Sequence, residues 1–172
     1  RYIKEITKLT DTMRDETEFK NQLIAEDRYK KAADPKRKYI QPQPEKPVPH
    51  INFAPLLNAG QKLNATAAQF HKTLTAKKAT LTPAQLKKLN QQIYQTERAL
   101  IAEAGLPRRP WFRHQIYAPG FYTGYGVKTL PGIREAIESR NWKETAEQIQ
   151  ITTAALQRLA EQIATATAVL EK

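Results

Sequence analysis

The sequence predicts an all-α fold: a four-helix bundle with a long Pro-rich crossover and an irregular hairpin-like loop between the third and fourth helices. Three observations carry that expectation. Apolar and small residues recur at alternating intervals of four and three in three separate stretches, the spacing that keeps one helical face against a partner. Five of the eleven prolines fall within residues 34–50, where no periodic apolar set exists. Residues 106–132 hold six of the fourteen aromatics and four of the six glycines, a composition that helices do not favour. At 172 residues the chain is long enough for one hydrophobic core, so it is expected to form a single helical domain over residues 1–172.

The elements follow in order. A first helix over about 2–29 carries Ile3, Ile6, Leu9, Met13, Phe19 and Leu23, with a polar centre that implies partial exposure. Because "RYIKEITKLT" reads as the middle of a helix, a piece of a longer chain is expected. Residues 30–50 form the crossover: "DPKRKYIQPQPEKPVPH" cannot be helical and should run as extended, polyproline-like chain. A crossover of that length frees neighbouring helices from antiparallel pairing.

The second helix, about 53–77, places Phe53, Leu56, Gly60, Leu63, Ala67, Phe70 and Leu74 on one stripe. The third, about 83–104, opens with Leu81, Thr82, Pro83 and Gln85, which supply a hydrophobic staple, an N-cap, a proline at the first helical position and a capping glutamine. Gly105 is its expected stop. After a loop over 105–131, helices over 132–171 close the bundle. Asn141 and Glu144 read as a cap and its box. The seam runs through Trp142, Ala146, Ile149, Thr153, Leu156, Ala160, Ile163, Thr167 and Leu170.

The formal net charge is +11 and there is no cysteine, which removes disulfides and thiolate metal sites. No apolar run reaches the roughly 20 residues of a membrane span, so direct membrane insertion is not expected. Residues 51–100 hold seven Lys/Arg against one Asp/Glu, with pairs at Lys77-Lys78 and Lys87-Lys88. These suit a solvated helical face. The alternative is a free-standing basic helical module binding nucleic acid, whose affinity for generic duplex would fall steeply with salt. No aromatics are interleaved to stack on bases.

No catalytic constellation is legible. His50, His71 and His114 sit in three segments without partners at metal-ligand spacing. Asp15-Glu16 and Glu26-Asp27 fit helix surfaces, and Asn64-Ala65-Thr66 is a bare sequon within a helical pattern. The chain alone is therefore expected to lack enzyme activity. The loop is different: "PRRPWFRHQIYAP" favours extended structure, and "GFYTGYG" offers a glycine turn between aromatic arms. Tyr117, Tyr122 and Tyr125 each present a hydroxyl that suits a ligand. Equally, aromatics in such a loop suit the capping of a bundle's open end.

Residues 97–137, "ERALIAEAGLPRRPWFRHQIYAPGFYTGYGVKTLPGIREAI", closely resemble the transferrin-receptor-like dimerisation domain of the glutamate carboxypeptidase and transferrin receptor family. "GLP", "RP", an aromatic pair, "RH", "IYAP" and "PGI" recur there in that order, and "NFAPLLNAGQKL" and the last helix fit the same domain. The resemblance implies a bundle that pairs two subunits as a homodimer and packs on the peptidase domain of its own parent chain. It implies zinc in that missing catalytic domain and none here, a parent that is exported (periplasmic, secreted or membrane-anchored), and no nucleic-acid partner. In glutamate-specific members a Lys-Tyr pair in the loop after "IYAP" holds the substrate glutamate. By position the tyrosine is Tyr125, and the lysine is replaced by Gly124. The implied substrate-binding residues are thus Tyr125, Gly124 and Tyr117, within a 117–126 loop that helps form the pocket.

Overall fold

The computed structural model describes residues 1–171. The chain is mostly helical, with one small two-stranded sheet, and it divides between Ile51 and Asn52 into two compact units.

The first unit contains α1 (Tyr2–Ala25), a single further turn α2 (Arg28–Lys31), and the Pro-rich segment. The expected helix over 2–29 stops early because Asp27 adopts a left-handed conformation, φ 56°, which a short polar side chain tolerates better than most. The extended segment returns along α1. Asn21 accepts from the Glu45 amide and donates to its carbonyl, at 2.9 and 2.8 Å, and Lys20 pairs with the Glu45 carboxylate. Further along, Arg14 donates to the Pro49 carbonyl at 3.3 Å. Glu45 beside Lys20 and Asn21, and Pro49 beside Arg14, set the segment antiparallel to α1. Side chains of the helix thus satisfy a stretch whose prolines can form no ladder of their own.

The second unit is built on α6 (Trp142–Glu171), against which α3 (Ala54–Lys77), α4 (Pro83–Tyr94) and α5 (Pro131–Glu138) pack. Leu89 of α4 meets Ala166 and Leu170 of α6, with Phe70, Leu74 and Val169 around them. Of the four long helices expected, these three, α3, α4 and α6, share one core, and α1 belongs to the first unit. The start of α4 is a complete capping box: the Thr82 hydroxyl accepts from the Gln85 amide and the Gln85 side chain accepts from the Thr82 amide. Asn141 likewise accepts from the Glu144 amide at 3.2 Å.

Two expectations need correction. The seam of α6 is broader than one stripe: Thr145, Gln148 and Thr152 are buried and Ala146 is exposed, because the helix packs on α3 and on α5 at once. Gln148 takes its place beside Gly132, where any side chain would collide with its amide. The third helix, expected to reach residue 104, ends at Tyr94 and tightens into a 3-10 turn over Glu97–Leu100. Ile101 is extended and bridges to His114, the Ala102 amide donates to the Arg113 carbonyl at 3.0 Å, and Arg158 of α6 donates to the carbonyls of Ala99 and Ile101 at 3.2 and 2.8 Å. Tertiary pairing overrides the helical propensity of "ALIAEA". Gly105, φ 67°, then serves a tight approach to Pro110 rather than a helix stop.

Candidate functional site

The loop following this turn folds in two tiers. In the lower tier, residues 100–106 run beside 112–115: the Leu106 amide donates to the Phe112 carbonyl at 2.8 Å and the Gln115 amide to the Leu100 carbonyl at 3.0 Å. In the upper tier, β1 (Tyr117–Pro119) pairs antiparallel with β2 (Val127–Thr129), Tyr117 opposite Thr129 and Pro119 opposite Val127. The turn between them is closed by the Gly120 amide on the Gly126 carbonyl, 2.8 Å, and the Gly124 amide on the Gly120 carbonyl, 3.0 Å. Gly124 has φ 63°, the region that glycine enters without penalty.

A buried ion pair anchors the two tiers to the helices. Arg109 donates to Glu135 of α5 at 2.9 Å, with side chains only 3% and 4% exposed. The same Glu135 oxygen accepts from the Phe121 amide at 2.9 Å, so one carboxylate holds both the lower tier and the root of the turn. The guanidinium also lies against the rings of Phe112 and Phe121, 5.9 and 5.7 Å from their centroids, in the arrangement of a cation over π faces. A second tie is the fork of Arg108 on Glu144 of α6, both contacts 2.9 Å, which raises the Arg108 pKa. Beyond β2, Leu130 takes a left-handed conformation, φ 49°. Its burial and its amide bond to the Ile116 carbonyl, 2.7 Å, offset the roughly 1–2 kcal/mol such a backbone costs.

The three tyrosines part company. At the foot of the hairpin the Tyr117 hydroxyl donates to Glu97 at 2.8 Å, and that bond raises the phenol pKa because ionisation would set two anions together. The His114 ring stacks on Tyr117, centroids 4.1 Å apart. Its Nε2 lies 3.1 Å from the same Glu97 oxygen, and its Nδ1 faces the amides of Ile116 and Tyr117, 3.3 Å each. Tyr122 and Tyr125 instead sit in the turn, 80% and 103% exposed. Gly124 and Tyr125 are thus neighbours at the tip, and Tyr117, with its hydroxyl engaged, lies three ladder positions away at the base.

The pairings of Arg109 with Glu135, Arg108 with Glu144 and Tyr117 with Glu97 escape a reading of the sequence, since each spans 20 residues or more. Glu135 does leave one signal: a lone acid within the apolar run Ile133, Ala136 and Ile137. Among the described residues no three His, Cys, Asp or Glu side chains gather where they could hold a metal, and no helix is long and apolar enough to cross a membrane. Lys77, Lys78, Lys87 and Lys88 are all exposed beside the turn joining α3 and α4.

The family model of the transferrin receptor-like dimerisation domain matches residues 51–164, which lie almost wholly within the second unit. The chain belongs to this family. Its relatives are peptidases by name. A probable glutamate carboxypeptidase of Arabidopsis thaliana is 33% identical over 104 residues, covering 59% of this chain and 15% of that protein. A probable glutamate carboxypeptidase of Arthroderma benhamiae is 39% identical over 67 residues, 38% of this chain and 9% of that protein. The aminopeptidase NAALADL1 of Rattus norvegicus is 28% identical over 117 residues, 63% of this chain and 15% of that protein. The chain therefore matches about a seventh or less of these relatives.

Proposed function

We propose that this chain is the pairing module of a zinc-dependent exopeptidase of the glutamate carboxypeptidase type, and that its 117–126 hairpin supplies one wall of the substrate pocket in the peptidase domain of the same parent. The observation that carries the second half is the exposure of Tyr125 at 103% on a turn whose root is fixed by a buried ion pair. A domain that merely plugged its own open end would bury that ring. On a turn anchored at its root and fully exposed at its tip, the phenol is placed to donate a hydrogen bond to a substrate.

The catalytic metals would belong to the peptidase domain of the parent: among the described residues no three His, Cys, Asp or Glu gather to hold a metal, and the Nδ1 of His114 faces two backbone amides. Zinc there would polarise the scissile carbonyl and generate the attacking water. The role of this chain is to bind and orient. Its contribution to assembly is a symmetric homodimer, which in sedimentation should appear as a concentration-dependent pair. A monomer at every concentration, for the domain and the parent alike, would remove the pairing role.

The pocket role is tested with Tyr125→Phe in the full-length parent. Removing only the hydroxyl should cost about 1–1.5 kcal/mol in kcat/KM, or up to about 3 where the acceptor is charged. Unchanged kinetics would refute it.

A further inference from the structure

The hairpin tip carries no charge, and among the described residues the cation beside it, Arg108, lies 5.6 Å from the Phe121 centroid with its guanidinium already forked onto Glu144. Residues 115–127, "QIYAPGFYTGYGV", include no acidic, basic or histidine residue. Four basic residues that border this stretch are held by carboxylates of the domain itself, and Arg134 is bonded to the Thr129 carbonyl and hydroxyl. Arg108 is forked onto Glu144, Arg109 is buried against Glu135, Arg113 meets Glu103 at 3.1 Å, and Lys128 grips Glu138 at 2.9 and 3.1 Å. What the turn does expose is Phe121, Tyr122, Tyr125 and Val127, at 41%, 80%, 103% and 69%. Phe121 and Tyr122 meet edge to face with centroids 4.9 Å apart, a preferred aromatic geometry.

We infer that this wall selects peptides whose C-terminal side chain is uncharged and apolar, aromatic or large aliphatic, and disfavours C-terminal glutamate. The inference rests on the pocket role proposed above and names the substrate class of that site. An acidic side chain drawn against this surface would lose its water and meet rings, neutral phenols and an Arg108 whose charge Glu144 already balances, and a desolvated carboxylate without a cation of its own is strongly disfavoured. An apolar side chain there would instead shed its own hydration and that of the exposed rings. Position 124, where a cation is absent, is open: a Cβ built there meets nothing within 4 Å. Selectivity at this point is therefore not enforced by crowding.

The test uses the full-length parent and a peptide series differing only in its C-terminal residue: Phe, Leu, Gln and Glu. Wild-type protein should favour Phe and Leu over Glu by tenfold or more in kcat/KM, with Gln, neutral and of glutamate's shape, in between. Tyr125→Ala and Tyr122→Ala should each lower the Phe and Leu values severalfold and leave Glu nearly unchanged, while preserving the melting temperature. A wild-type preference for Glu, with either variant still altering kinetics, would keep the pocket role and overturn the substrate class. Variants that alter no peptide at all would overturn the pocket role and this inference with it. If the parent turns over none of the four, the same ordering is read from their dissociation constants by calorimetry, with the same two outcomes deciding.

Discussion

The two ends of the aromatic hairpin are built to opposite rules. At its foot the principal polar groups are spent inside the domain: Glu135 serves Arg109 and the Phe121 amide together, and Glu97 takes the Tyr117 hydroxyl. At its tip two phenols stand in solvent, Tyr122 edge to face with Phe121 and both on turns closed by backbone bonds. Aromatic content alone does not distinguish the ends. The difference is whether removing a side chain would harm the domain itself, and it separates residues that hold the hairpin in place from residues free to meet a ligand.

Mutations sharpen that contrast in order of expected size. Glu135→Ala strands a buried guanidinium and frees the root of the turn, so it should destabilise the isolated domain by about 3–5 kcal/mol in urea unfolding. A loss below about 1 kcal/mol would mean that water reaches the pair and that the foot is no firmer than the tip. Arg108→Ala breaks a fork that is partly exposed, 39% on the arginine side, and should cost no more than about 1 kcal/mol by the same measurement.

The pH dependence of the foot comes from Tyr117. Its folded pKa is raised by the bond to Glu97, so the stabilisation it gives is whole below the unfolded value near 10 and is lost as pH rises through the higher folded value. In an ultraviolet titration the Tyr117 phenol should ionise above the ordinary value, and Glu97→Gln should move that transition down. Smallest of all, Tyr125→Ala should alter domain stability by less than about 0.5 kcal/mol. A loss of 3 kcal/mol or more, as for a buried aromatic, would place the ring in a core and erase the distinction between tip and foot.

Local chemistry was readable and long-range pairing was not. Thr82 with Gln85 and Asn141 with Glu144 announce their helix starts because capping is settled within four residues. The glycines of "GFYTGYG" announce the turn for the same reason. Nothing between residues 94 and 105 announces that the third helix ends early, because the partners that end it, Arg113, His114 and Arg158, are ten or more residues distant and bind its backbone groups. The second buried face of α6 was hidden because it is lined by Gln148 and Thr152, polar residues that a hydrophobic pattern counts as solvent-facing. The Arg109–Glu135 pair was hidden more deeply, since two charged residues 26 apart carry no mark of being buried together.

The Pro-rich segment has a consequence for how the protein behaves in crowded solution. A long extended stretch is ordinarily an invitation to strand addition, offering a row of amides to any other chain. Were residues 41–50 to straighten, Pro42 and Pro44 would strip the donors from one edge, while Pro47 and Pro49, of opposite parity, would strip them from the other. Asn21 already occupies the Glu45 amide in between. The segment can thus lie extended over these ten residues without becoming a template for aggregation.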